Sequence, residues 1–312
     1  MSGPSIVTEQ LASSRAQDGR FWGSTLSDYW ALTKPEVNFL ILITTAVGFY
    51  LGCGSEARTF SFISLFNTLL GTLLVASGTG TLNQYTEREL DAQMRRTARR
   101  PAAAGRLKPA TVLTFGIVLA VTGSIYLAIA ANLLASLLAV LTLLTYLFVY
   151  TPLKRKTPLC VLVGAFPGAM PPLIGWAAAS GRLNVHAAVL YAILFLWQFP
   201  HFMAIAWMYR EDYDRAGYSV LPKGKARVPF VTLETFLPLL ALVATSMVQF
   251  PTQHAAIFYC ASALLSLGFL YFGLEFVLQR SRSVARRLLA ASIVYLPLLF
   301  VLSATLCNRA RT

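Results

Sequence analysis

Apolar residues run along this chain in long stretches, broken at intervals by short segments rich in charge, proline, glycine or asparagine. A helix needs roughly 20 apolar residues to cross a hydrocarbon core about 30 Å thick. Reading from break to break predicts nine such helices, near residues 37–53, 62–83, 110–130, 133–151, 159–179, 186–208, 228–250, 255–277 and 288–307. The slightest break is Ala131-Asn132, between the third and fourth stretches. The pattern predicts an all-α integral membrane protein with nine transmembrane helices. A polar N-terminal tail is expected over residues 1–30 and a single nine-helix domain over 31–308.

Composition points the same way. Of 312 residues, 56% are hydrophobic and 12% charged, and mean hydropathy is +0.61. Soluble domains carry about 25% charged residues, so an ordinary soluble class is excluded. The net charge of +13 raises the question of nucleic acid. Its placement answers against that partner, because the basic residues occupy short loops between apolar stretches, where charge bias sets orientation. With the N-terminus cytoplasmic, all but four of the 26 Lys and Arg lie on inside segments, the exceptions being Arg58, Arg182, Arg309 and Arg311. A missed or invented helix would scramble that alternation, and the C-terminus is then expected outside.

Other features change little. Cys53, Cys160, Cys260 and Cys307 are scattered singly, with no metal-ligand spacing. Residues 1–20 hold no apolar core and are no secretory signal. Arg15, Arg20 and several serines hint at a transit peptide, but Glu9 and Asp18 weigh against it, so a cytoplasmic tail and a bacterial inner membrane are expected. A faint repeat pairs Thr33-Lys34-Pro35 with Lys156-Thr157-Pro158, Pro35 and Pro158 being 123 residues apart, as are Asp91 and Asp214. Duplicated helical halves with a site between them are common in membrane proteins.

The chemistry concentrates between Asn83 and Pro101. Asn83, Glu87 and Asp91 recur every four residues at the end of the second stretch, which on a helix sets them on one face, about 6 Å apart in rise. Two carboxylates and an amide are hard oxygen donors suited to Mg²⁺, which binds one or two carboxylates together with substrate phosphate oxygens. Arg96 and Arg100 follow at once and offer bidentate donors to phosphate. Charge alternation alone would describe a solvated helix end, but ionisable groups at membrane depth are costly and usually functional. A second acidic cluster, Glu211-Asp212-Tyr213-Asp214, follows the sixth stretch on the same side. Two such clusters facing one compartment suit two metal ions bracketing a diphosphate. For the Lys154-Arg155-Lys156 loop, phosphate contact and plain orientation signal stand level.

These residues resemble the UbiA superfamily of intramembrane prenyltransferases, whose N-x3-[DE]-x3-D motif is matched by Asn83, Glu87 and Asp91. Within it, the haem-directed branch of protoheme IX farnesyltransferases is similar in Met94-x-Arg96-Thr97-x2-Arg100-Pro101 and in Leu32-Thr33-Lys34-Pro35. Further matches are Tyr150-Thr151-Pro-Leu-Lys154-Arg155-Lys-Thr157, the glycine- and proline-rich run from Gly164 to Trp176, Trp197-Gln198-x-Pro200-His201-Phe202, and Asp212-Tyr213-x2-Ala216-Gly217. The resemblance implies a UbiA-type helical bundle in which Asn83, Glu87, Asp91 and Asp212 hold Mg²⁺ and act in catalysis. It implies that Arg96, Arg100, Lys154 and Arg155 bind the diphosphate. The departure of the second motif from the D-x3-D form leaves Glu211 and Asp214 open. His201 is implied as a haem contact, with iron ligation and proton transfer both open. Tyr146 and Tyr150 are candidates to face an allylic cation, or ordinary core tyrosines.

By the same resemblance, the expected reaction transfers the farnesyl group of farnesyl diphosphate to a vinyl group of haem b, giving haem O and diphosphate. The expected surroundings are membrane lipid, with a haem A synthase as a candidate partner. A quinone-type or chlorophyll-type acceptor, and a polytopic transporter lined by buried acids, are the rival readings.

Overall fold

The computed structural model describes residues 25–55, 60–248 and 254–306; the first 24 residues, Arg58, Cys307, Arg309 and Arg311 lie outside the described residues. Among those described there is helix and no strand, and nine helices are long and apolar enough to cross a membrane. They are α1 (Pro35–Ser55), α2 (Phe62–Asp91), α3 (Pro109–Ala130) and α4 (Leu133–Leu144, running on through a π-helical turn, Thr145–Tyr150, to Leu153). One further span is broken into α5 (Cys160–Gly168) and α6 (Pro171–Ser180). It is followed by α7 (Val185–Met208), the short α8 (Arg210–Arg215), α9 (Arg227–Ser246), α10 (Ala255–Gln279) and α11 (Arg282–Leu306). All nine expected spans are present. The second runs on to Asp91, where the apolar pattern ended near 83, and the last starts at Arg282, six residues before its apolar run.

Local chemistry explains the breaks. Asn132 ends the ambiguity between the third and fourth spans: its side chain accepts from Ala135 N to cap α4, and its Nδ2 donates 2.7 Å to Ala177 O on α6. Pro171 and Pro172 lack the N–H that would continue α5, so the span breaks after Gly168 and restarts as α6. Pro152 acts on α4 in the same way. Ahead of it the helix widens, and Thr151 N–H reaches back five residues to Tyr146 O.

The tightest seam joins α1 to α6. A Cβ on Gly175 would lie 1.9 Å from Thr45 O, and one on Gly48 would lie 2.1 Å from Pro172 O. Lipid offers no hydrophobic drive for helices to associate, so close backbone approach through small residues supplies the contact energy instead. The α5–α6 span is accordingly the most deeply buried of the nine. Polar ties add to this seam's neighbours, with Asn38 Nδ2 donating 2.8 Å to Ser77 Oγ between α1 and α2.

A helical lead-in over residues 25–32 docks on the bundle within the stretch expected as tail. Leu32 is fully buried, Tyr29 meets Phe115 edge-on at 4.9 Å, and Asp28 pairs with Arg106 at 2.9 Å. Gln84 on α2 donates to Ala31 O and Leu32 O, satisfying carbonyls that the end of a short helix leaves free. This fixes where the chain enters α1, and so where Lys34 sits.

Candidate active site

Continuing α2 to Asp91 buries Asn83, Glu87 and Asp91, at 1%, 5% and 1% exposure, on one face of one helix. They open on a cavity of about 280 Å³. A larger hollow of about 490 Å³ is lined by Tyr29, Thr111, Thr114 and Phe115, but it is open and carries no charged side chain. The chemistry is in the smaller one.

Each motif residue is met by one cation. Lys34 Nζ donates 2.7 Å to Asn83 Oδ1. Lys154 Nζ donates to both oxygens of Glu87, at 3.0 and 3.2 Å, and Asn83 Nδ2 also donates to Glu87 Oε2 at 2.8 Å. Arg100 Nη1 pairs with Asp91 Oδ2 at 2.8 Å. The turn after α2 makes that last pair: Thr97, itself buried, donates to Asp91 O and folds the chain back so that Arg100 reaches the residue nine before it.

Lys34 adopts a left-handed φ of +54°, an unusual conformation for a residue with a side chain, just before Pro35 opens α1. Burial pushes its ammonium down to about 7, aided by the Arg100 and Lys154 cations and opposed by Glu87 and Asp91. Lys154 goes the other way. Burial works against its charge, but Tyr150, Tyr146 and Glu87 beside it outweigh that and hold it well above the usual lysine range. Burial, with the Glu87 carboxylate, pushes the Tyr218 hydroxyl up.

The π-helical turn aims both Tyr146 and Tyr150 at the cavity, with Lys154 Nζ 5.8 and 4.6 Å from their ring centroids. Tyr150 packs against Gly164, where a Cβ would come within 2.5 Å of its ring. Phe202, Ile205 and Ala206 of α7, with Val37 and Val161, supply apolar wall.

The second acidic segment closes the cavity by different residues from those expected. Tyr213 and Tyr218 line it, while Asp212 does not and pairs with Arg215 at 3.0 Å. Asp214 pairs with Arg227, and Glu211 is exposed beside Arg210. The 123-residue offset between Asp91 and Asp214 therefore joins a buried cavity residue to a half-exposed surface pair. The segment is held in place by Met94 packing on Ala216 and Tyr218, and by Ser219 N donating 2.7 Å to Lys154 O. Arg155 is exposed outside the lining, its carbonyl accepting from Ser219 Oγ. Arg96 lines the cavity with its guanidinium over the Tyr209 ring.

His201 is one residue from the wall and not on it. Its ring stacks on Trp197 at 4.6 Å, and its Nδ1 lies 2.8 Å from Ser292 Oγ. That hydroxyl donates 2.6 Å to Leu289 O, so it accepts from Nδ1–H, which leaves Nε2 as the ring's lone-pair nitrogen. Trp197 Nε1 donates to Ser292 O, tying α7 to α11 at the same residue.

The donors fit a divalent cation of the magnesium kind. Among the described residues no three His, Cys, Asp or Glu side chains form a closed metal cage. Mg²⁺ does not need one, since it keeps waters and shares phosphate oxygens. Asp91 Oδ1 is buried and has no hydrogen-bond partner, the costly arrangement that a bound cation relieves. The sequence does not single out Lys34, Tyr213 or Tyr218 as site residues, although Lys34 and Tyr213 lie within the matching motifs and Lys34 within the faint repeat.

Residues 41–302 match the model of the UbiA prenyltransferase family. A protoheme IX farnesyltransferase of Solibacter usitatus is 44% identical over 282 residues, which cover 88% of this chain and 97% of that protein. Among solved structures, a digeranylgeranylglyceryl phosphate synthase superposes with a TM-score of 0.69 at 15% identity, over 90% of this chain and 98% of that one. A UbiA homologue from Archaeoglobus fulgidus bound to GPP and Mg²⁺ gives 0.63 at 14% identity, over 89% and 99%. The α2 motif, the nine spans and a relative matched over nearly its whole length agree, and the chain belongs to the UbiA prenyltransferase family.

Proposed function

We infer that the protein is a prenyltransferase that moves the farnesyl group of farnesyl diphosphate onto a vinyl group of haem b, giving haem O and diphosphate. The observation that carries this is the cavity in which Lys34, Lys154 and Arg100 are matched to Asn83, Glu87 and Asp91. Three cations facing two carboxylates and an amide make a preorganised surface that a diphosphate and its metal can enter by exchanging partners. The protoheme IX farnesyltransferase relatives supply the substrates of the reading.

Asn83, Glu87 and Asp91 would hold Mg²⁺ from the α2 side, with Asp212 as a further ligand on turning away from Arg215. When bound, the metal supplies Lewis-acid neutralisation of charge on the leaving diphosphate. Arg100 and Lys154 donate to the diphosphate oxygens, and Arg155 stands outside them at the loop. As the carbon–oxygen bond breaks, the allylic carbon gains positive charge facing Tyr146 and Tyr150, whose π faces attract it. Apolar residues of α7 keep water away from that cation. The vinyl group attacks it, one carbon–carbon bond forms, and water then adds to the resulting cation beside the ring and releases a proton. His201 would meet the haem through Nε2, the nitrogen that Ser292 leaves free.

By the distribution of basic residues, the site faces the cytoplasm, with the C-terminus outside. The product suits a haem A synthase as the next enzyme and candidate partner. Membranes containing the protein, given farnesyl diphosphate, Mg²⁺ and haem b, are expected to yield the hydroxyethylfarnesyl product by mass spectrometry. Absence of that product from folded protein, or transfer only to a quinone precursor, overturns the reading.

A further inference from the structure

Of the four cations that line the cavity, three are bonded to the α2 motif, and Arg96 is bonded to none of it. Among the described residues Arg96 makes no ion pair, and its guanidinium rests 5.4 Å from the centroid of the Tyr209 ring. Tyr209 ends α7, the helix that gives the cavity Phe202, Ile205 and Ala206. Arg96 is also exposed, whereas Arg100, one turn further along the same loop, is drawn in onto Asp91. The side chain leaves the end of the motif helix and lays its charge on the α7 wall.

A guanidinium that rests over an aromatic ring and makes no ion pair keeps its donors free, and its planar fork matches a carboxylate bidentately. The metal and diphosphate collect where Asn83, Glu87 and Asp91 are, and their counter-charges are already present there. A haem carries its propionates on the edge away from its vinyl groups. A propionate held at the exposed rim would turn a vinyl edge inward, toward the tyrosines and the departing diphosphate. We propose that Arg96 binds a carboxylate of the acceptor, a haem propionate, and so positions the ring for transfer. The assignment rests on the haem reading above and departs from the resemblance, which gives Arg96 to the diphosphate.

The test uses the full-length protein in membranes with farnesyl diphosphate, Mg²⁺ and either haem b or haem b dimethyl ester. Arg96→Gln is expected to raise KM for haem b by about tenfold or more, the scale of one charge-assisted contact. It is expected to abolish the wild-type preference for the free acid over the ester and to leave KM for farnesyl diphosphate unchanged, which also reports a folded site. Arg96→Lys keeps part of the preference, and Arg100→Gln moves KM for farnesyl diphosphate while leaving the preference intact. An Arg96→Gln protein that keeps the free-acid preference and binds farnesyl diphosphate more weakly overturns the assignment, as does a wild type indifferent to esterification. A wild type that farnesylates neither acceptor fails the haem reading itself, and this assignment with it.

Discussion

Asp91 and Arg100 meet in a 2.8 Å ion pair that uses only one of the two carboxylate oxygens, and the other is buried without a partner. An arginine that merely neutralised the acid could close on both oxygens. Holding one and leaving one suits a carboxylate that is oriented by Arg100 and offered to a cation.

Asp91→Asn keeps the size and the Arg100 contact but removes the charge. It is expected to lower kcat by about 100-fold or more, on the scale of losing one preorganised electrostatic group at a reacting centre. Titrating Mg²⁺ checks the cause: the half-saturating concentration should rise in the variant, and an unchanged value would contradict the ligand role.

Lys154 and Glu87 are both largely buried, so breaking the pair strands a charge. Lys154→Met is expected to cost about 3 kcal/mol or more in stability, read as a lower unfolding midpoint in detergent. Adding Glu87→Gln should return most of that stability while activity stays lost. Restored activity in the double variant would show that the pair serves only the fold.

Gly175→Ala places a Cβ against Thr45 O at a distance no real contact allows. Overpacking of this kind costs about 1–3 kcal/mol, and here the obstacle is backbone. Yield and thermal stability should fall, with KM for farnesyl diphosphate unchanged in what remains folded, since α6 does not line the cavity.

His201→Ala is expected to reduce haem bound to the purified protein, seen as loss of Soret absorbance, with farnesyl diphosphate binding retained. Ser292→Ala, which removes the hydroxyl that fixes the ring, should weaken haem binding less. Equal Soret absorbance in wild type and His201→Ala would remove His201 from the acceptor site.

The spans and the motif face were legible because both depend on spacing along one helix: a run of apolar residues, and Asn83, Glu87 and Asp91 four apart. What those residues pair with was not, because it depends on chain returning from elsewhere. Lys34 reaches Asn83 across 49 residues and Lys154 reaches Glu87 across 67, and no local pattern marks either meeting. Asp212 stood out for its charge, yet the same loop reaches the cavity with Tyr213 and Tyr218, whose neighbourhood is set by Met94 packing on Ala216. The break at Ala131-Asn132 looked slight from composition. It is secured by one asparagine that caps its own helix and bonds a second.

The wide turn at Thr145–Tyr150 acts on everything after it. A regular α-helix advances about 100° per residue, and one residue's worth of extra winding resets the phase of the remaining turn by that amount. Wound regularly, the same sequence would turn Lys154 about 100° around the axis of its own helix, away from Glu87. The spacing between the fourth span and its basic loop is therefore a clock setting for the site, and its length is as constrained as any side chain in the cavity.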